Sequence, residues 1–375
     1  MILLNKHEPR LYEVVERKGL GHPDTLADGI SEAISRSLCR FYLDEFGQIL
    51  HHNVDKVLII AGQSAPFYSG GSIKKPPAVV VGGRASRTTA SPLADIVREA
   101  TASHLKKTLK HLELFDVEPR LEVGAPELRS LLGKGANDTS IGVGYAPLSE
   151  TEQLVLDLED VVRGVRGAGE DIKLMAVRGE GKLTVVVAVA MVSRFINSRE
   201  EYDRAKEAVR EAVMRKQKAG RAYQQAGEVE VCVNCADSLE NIYLTVTGTS
   251  IEMGDDGATG RGNRGNGLIT PMRSMTMEAI AGKNPVSHVG KIYNVLAAKA
   301  AADIAELDWV DEACVTLVSK IGSPISQPLL RAAQISGDGT LTPGKEAKVN
   351  SILDYWLEST GDLVEQFVQG RLTLY

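Results

Sequence analysis

The chain is poor in the residues that mark several classes of protein. Aromatic side chains make up 5% of its 375 residues, with two tryptophans, so the core has to be aliphatic. Cysteine occurs four times, too few for a disulfide framework, and the expected setting is a reducing cytoplasm. Cys232 and Cys235 make a single CxxC in the run EVEVCVNC. Without a second pair they read as two ordinary strand cysteines. No apolar run is long enough to span a bilayer; the longest, KLTVVVAVAMV, is strand-like. The N-terminal MILLNKHEPR lacks the charged-then-apolar plan of a signal peptide. Runs of Lys and Arg are absent and the net charge is −6, which argues against a nucleic-acid or anionic-membrane partner. Any cations that bind phosphate must be concentrated locally.

What is present is ample for a large core, with 43% hydrophobic residues and a length that suggests two or three domains. Helical periodicity is expected over 26–46, 93–114, 148–162, 198–218 and 287–304. Strands are expected near 54–61, 78–82, 121–124, 141–146, 182–192, 228–235, 242–247 and 313–318, with a Gly/Pro/Ser-rich loop at 63–77. Long helices between antiparallel-capable strand pairs predict an α+β fold and not a doubly wound parallel sheet.

Five stretches carry chemistry. Gly21-His22-Pro23-Asp24 opens the first helix. Proline suits the first helical position, and the positive helix end favours a carboxylate or a phosphate. Read locally, His22 is as plausibly a cap and Asp24 a dipole complement. Gly133, Gly135 and Asp138 lie in a glycine-flexible loop ending in Asp-Thr-Ser, able to offer backbone N–H groups and a metal-binding oxygen. Asp171 and Lys173, two apart in a strand, share a face. The run 254–267 holds six glycines in fourteen residues, with Asp255, Asp256, Arg261 and Arg264. It can be neither a stable helix nor a strand. Arginine forks on a glycine loop suit polyphosphate, although the run lacks a Walker ending and a Rossmann plan. Gly282-Lys283-Asn284-Pro285 precedes a helix with His288 and Lys291.

Together ERKGLGHPDTLADGISEAISR, GKGANDTSIGVGYAPLSE, GEDIKLM, GDDGATGRGNRGNGLITP and AGKNPVSHVGKIYN resemble, in order, the motifs of the S-adenosylmethionine synthetases, most nearly their archaeal-type branch. The likeness spans Glu16 to about Leu296. It implies that His22 approaches the 5′ oxygen and triphosphate of ATP, and that Asp24 and Asp255 bind Mg²⁺. By the same likeness Lys173, Arg261 and Lys283 act on the polyphosphate. Gly133, Gly135, Asp138, Asp171, Arg264 and Lys291 are implied to hold ATP and L-methionine. It further implies three β-α-β-β-α-β-like domains about a pseudo-threefold axis, with flat sheets packing in a homodimer whose sites lie between subunits. Rough limits are 16–139, 140–235 with 1–15, and 236–375. Thr25 stands where the bacterial and eukaryotic form has lysine, and Gly262 follows Arg261 where that form has lysine. Potassium is left open, since the acidic potassium ligand of that form has no clear match around His51-His52-Asn53.

The implied chemistry fits the residue types. A thioether nucleophile has no proton to lose, so no general base is needed. Alignment, and stabilisation of a leaving group of about four negative charges, are what a site must supply. No Ser-His-Asp or Cys-His constellation is visible. The rivals are a non-catalytic nucleotide-binding subunit and an ADP-releasing small-molecule kinase.

Overall fold

The computed structural model describes residues 1–6, 8, 10–86, 92–126, 132, 133, 135–219 and 227–375. In chain order its strands are β1 (Ile2–Asn5), β2 (Tyr12–Lys18), β3 (His52–Ile60), β4 (Gln63–Phe67), β5 (Gly70–Lys75), β6 (Ala78–Ala85), β7 (Asp116–Glu122), β8 (Ile141–Ala146), β9 (Ala168–Gly179), β10 (Lys182–Val192), β11 (Glu228–Val233), β12 (Leu244–Thr245), β13 (Gly257–Ala258), β14 (Val310–Val318) and β15 (Leu330–Gly337). Its helices are α1 (Pro23–Phe46), α2 (Leu93–Thr108), α3 (Glu150–Arg163), α4 (Arg199–Ala219), α5 (Val289–Ala305), α6 (Pro343–Glu358) and α7 (Thr360–Gln369).

Three larger sheets organise the chain. Their orders are β13-β3-β6-β7, β11-β10-β9-β2 with β12 beside β10, and β1-β15-β14-β8. Each combines antiparallel and parallel pairs; the parallel ones are β6 with β7, β10 with β11 and with β12, and β1 with β15. The architecture is α+β. Three aliphatic clusters form the core. α1 and α2 cover the first sheet, α3 and α4 the second, and α5 packs on β8 and β14 of the third. Strands from distant parts of the chain meet in these sheets, across the rough limits 16–139, 140–235 with 1–15, and 236–375. β1 pairs with β15, β8 with β14, and β13 with β3. Strand pairing follows apolar faces and register across the molecule, which chain order does not reveal.

Two further expectations change. The stretch 63–77 contains the hairpin β4–β5, turned at Ser69 with φ 70°. Pro66 is accommodated because this two-stranded ribbon is all edge. Cys232 and Cys235 are joined by a disulfide and are not two separate strand cysteines. Asn234, at φ 45°, turns the chain back after β11 and brings the two Cα atoms to 5.8 Å. The left-handed conformation suits Asn better than most residues.

Local signals explain the helices that matter. α1 begins at Pro23, is capped by His22, whose Nδ1 accepts from the Asp24 N–H at 3.2 Å, and closes on Gly47 at φ 67°. Its buried stripe includes Leu26, Ile30, Ile34 and Leu38. α3 has a full capping box between Ser149 and Glu152.

α1 and α5 are joined by a buried ion pair. Lys291 Nζ donates to both Glu32 carboxylate oxygens, at 2.9 and 2.7 Å, and lies over the Phe367 ring. Lys291 was expected among the ATP contacts, yet its side chain has 1% exposure and its charge is matched inside the protein. Lys291→Met leaves Glu32 buried and unpaired, which costs about 3–5 kcal/mol. Denaturant unfolding followed by circular dichroism measures it, and a loss below about 1 kcal/mol would mean that Glu32 finds another partner.

Candidate active site

The site grows around the N-terminus of α1, where three chain segments meet. The β2 end delivers Lys18, the β9 start delivers Asp171 and Lys173, and the glycine-rich stretch folds over both. Close backbone contact requires glycine at two points. A Cβ on Gly21 would sit 2.3 Å from the Glu170 carbonyl carbon, and one on Gly257 2.2 Å from the Pro23 oxygen. Gly21 N–H donates to Glu170 O at 3.0 Å, and Thr249 Oγ1 donates to Gly21 O at 2.8 Å.

His22 is buried, and burial is the main reason its pKa falls to about 4; Asp24 opposes this, while Lys18 and Lys173 push further down. The ring is therefore neutral near pH 7. Because Nδ1 accepts from Asp24 N–H, the proton sits on Nε2, which is a hydrogen-bond donor. Asp24 receives the Ala258 N–H on Oδ1 at 2.9 Å and the Lys18 ammonium on Oδ2 at 2.8 Å. Asp171 is buried and accepts from Ser250 N–H at 2.9 Å and Ser250 Oγ at 2.5 Å, with Tyr243 OH at 3.4 Å. Burial raises its pKa to about 6, and nearby Asp255 adds to the rise, against the hydrogen bonds from Ser250 and Tyr243. Lys173 reaches Glu16 at 3.2 Å and remains half-exposed. Asp255 is exposed.

A second group lines a cavity of about 490 Å³ on the other reach of the glycine-rich stretch. Arg261, Lys283, Thr139 and Ser140 border it with Asp55, Lys56 and Glu278. Lys283 Nζ is buried and donates to Asp55 at 2.6 Å. Burial raises the pKa of Asp55, but the lysine overrides it and holds the carboxyl below its usual range. Asp138, next to Thr139, is exposed and accepts from the Thr139 N–H at 2.7 Å. Gly133 takes φ 72°, and Gly135 lies against the backbone of Gly322 and Ser323. Lys134, between them, lies outside the described residues.

Arg264, expected among the ATP contacts, turns into its own loop. Its guanidinium donates to the carbonyls of Gly260 and Gly262 at 2.7 and 2.8 Å, bracing the loop from within. It also borders a mostly apolar cavity of about 230 Å³ that includes Tyr145, Ile280 and Leu374. Apart from Arg264 that cavity contains none of the groups around Asp24, so the clustered charged groups mark the candidate site.

Sequence reasoning passed over Lys18 and Asp28. Lys18 lies within the stretch ERKGLGHPD but has no spacing signal of its own. Asp28 accepts the Gly260 N–H at 2.8 Å and fixes the loop to α1. Its i+4 relation to Asp24 was the available hint.

Among the described residues no group of three or more His, Cys, Asp or Glu could hold a metal alone. Mg²⁺ ordinarily uses one or two carboxylates with phosphate oxygens and water, and Asp24, already holding one cation, fits that limited demand. The folding pattern and this cluster describe an α+β protein with an anion-friendly helix start, facing carboxylates and a cation-bearing loop.

A model of the S-adenosylmethionine synthetase (AdoMet synthetase) family matches residues 3–371, and the chain belongs to that family. It is 42% identical to the S-adenosylmethionine synthase of Methanothrix thermoacetophila, over 98% of this chain and 96% of that one. The same identity and coverage hold for the synthase of Pyrococcus furiosus. With that of Methanobrevibacter smithii it shares 43%, over 96% and 94%.

Burial raises the Asp28 pKa to about 7, with Asp24 adding to the rise, while the Gly260 N–H, Arg264 and Lys18 oppose it. Below the unfolded value of 3.8 both states hold the proton and Asp28 costs nothing. As pH climbs toward about 7 the unfolded chain ionises first, so stability is lost across that window and levels off above it. Asp28→Asn removes this dependence. Its stability relative to wild type should rise with pH from about 4 to about 7, by up to about 1.4 kcal/mol per unit. Urea unfolding at a series of pH values measures it; parallel curves for the two proteins would contradict the assignment.

Proposed function

We propose that the chain makes S-adenosylmethionine from ATP and L-methionine. The methionine sulfur attacks C5′ of ATP, the C5′–O bond breaks, and the triphosphate leaves with the electron pair. The bound triphosphate is then hydrolysed to pyrophosphate and phosphate. The observation that carries this reading is His22, buried beside Asp24 at the positive end of α1 with its Nδ1 accepting the Asp24 N–H, in a chain matched by the family from 3 to 371. A donor there meets charge developing on the leaving oxygen and needs no proton transfer.

Several supports extend the reading. Lys173, Arg261 and Lys283 supply positive charge to the triphosphate. Asp138 and Asp171 orient adenosine and methionine, with Gly133 and Gly135 giving the loop its approach. Asp24 and Asp255 would hold Mg²⁺, which supplies charge neutralisation on phosphate oxygens. Whether K⁺ takes part is decided by activity titrations in its presence and absence. Arg264 and Lys291, with their polar atoms engaged inside the protein, act on the site through the loop and through α1.

The three sheets are read as three units, each of sheet and helices, related by a pseudo-threefold axis. A homodimer is supported by the outer faces of the sheets, where Leu58, Ile60, Val177 and Val186 are exposed. In such a dimer the α1 group of one subunit would face the Lys283 and Asp138 group of the other. No helix among the described residues is long and apolar enough to cross a membrane, and the cytoplasm is the proposed location.

Incubation with ATP, methionine and Mg²⁺, with products resolved by chromatography, tests the function. S-adenosylmethionine with both phosphate and pyrophosphate is expected, and ADP as the product would sink the reading. Asp24→Asn should abolish turnover with the fold intact by circular dichroism. Near-full activity in that variant would remove Asp24 from the metal site.

A further inference from the structure

Lys18 is built into the site more firmly than a surface cation needs to be. It ends β2, and its backbone is held three times. Asn263 Oδ1 accepts its N–H at 2.9 Å, Asn263 Nδ2 donates to its carbonyl at 2.7 Å, and Thr25 Oγ1 donates to the same carbonyl at 2.8 Å. Asn263 belongs to the glycine-rich stretch and Thr25 to the first turn of α1. The two elements that form the site therefore also fix the root of this side chain. Its ammonium reaches Asp24 Oδ2 at 2.8 Å and the Arg261 carbonyl at 3.0 Å. The side chain is 14% exposed.

This position is unusual in charge terms. Among the described residues Lys18 is the only Lys, Arg or His in an ion pair with Asp24, the carboxylate best placed for a divalent ion. Around the pair lie the neutral His22 with Lys173 near it, and Asp28 with Arg264 near it. An ammonium has three N–H groups, and two partners are accounted for. A flexible four-carbon stem allows the head to move while the root stays fixed.

We propose that Lys18 is a triphosphate-binding residue that exchanges partners. It neutralises Asp24 in the arrangement seen here, and gives up Asp24 Oδ2 for an oxygen of the leaving triphosphate when Asp24 takes the divalent ion. Thr25, by turning inward onto the Lys18 carbonyl, lets the cation of this corner come from β2. The inference rests on the function proposed above and adds a residue to it.

The full-length protein, wild type and with Lys18→Met, Lys18→Gln and Lys18→Arg, is titrated calorimetrically with inorganic tripolyphosphate in Mg²⁺. Mn²⁺ alone is titrated separately by electron paramagnetic resonance. Lys18→Met should bind tripolyphosphate about tenfold or more weakly, the scale of one lost charge-assisted contact. The same variant should bind Mn²⁺ more tightly, since the competing ammonium is gone. Lys18→Arg should keep tripolyphosphate binding within about threefold of wild type, since it preserves the charge. Lys18→Gln keeps a stem and a donor without charge, and replaces Lys18→Met in both comparisons should the latter not fold. Unchanged tripolyphosphate binding in the uncharged variant overturns the proposal, and so does unchanged or weaker Mn²⁺ binding. Absence of S-adenosylmethionine synthesis by wild type would instead overturn the function, whereas the role of Lys18 is decided by the ratios between variants and wild type.

Discussion

The close seating of the glycine-rich stretch on the start of α1 is the constraint on which the rest of the site depends. Gly257 lies against Pro23 where no side chain fits. Ala258 and Gly260 then give their N–H groups to Asp24 and Asp28, and Thr259 Oγ1 lies 2.6 Å from Ser31 Oγ. One face of a helix thus receives the loop through alternate backbone amides, while the Thr259 N–H between them goes to Val57 O of β3. A loop with six glycines would have high conformational entropy in isolation. Here its amides are tied down by carboxylates that the helix places four residues apart, and Arg264 braces its carbonyls from the other side.

Electrostatics follow from that burial. Charges withdrawn from water need partners, and the chain divides its cations accordingly. Lys291 is committed to Glu32 in the interior, Lys283 pairs with Asp55 at the wall of the cavity that Arg261 also borders, and Lys173 and Arg261 face outward. The same desolvation keeps His22 neutral and raises Asp28 and Asp171. The result is a site in which acids sit at the positive end of a helix. Some of its cations hold those acids in place, and others stay open to an anion.

Residues that sequence order brings together were legible from the start. The cap at His22, the helix start at Pro23, the capping box at Ser149 and the shared face of Asp171 and Lys173 all depend on neighbours within four positions. The α+β character was equally readable, because helical and strand periods differ within a short window. The disulfide between Cys232 and Cys235 was not, since it depends on the conformation of Asn234 between them. The hairpin at 63–75 was hidden by its Gly, Pro and Ser content.

The sequence by itself determined the longer helices, several of the strands, the aliphatic core and the motifs that place this chain among S-adenosylmethionine synthetases, because those properties are local or compositional. Tertiary structure alone decided which cations are buried on a distant partner. Lys291 and Lys173 look equivalent in the chain. They differ because Glu32, 259 positions away, closes on Lys291 inside the folded protein, whereas Lys173 stays half-exposed beside Glu16. The pairing of Lys18 with Asp24 across a turn, and the anchoring of both by residues 234 and 245 positions distant, is likewise a product of packing. Coulombic attraction and desolvation act through space, and chain order carries no record of that distance.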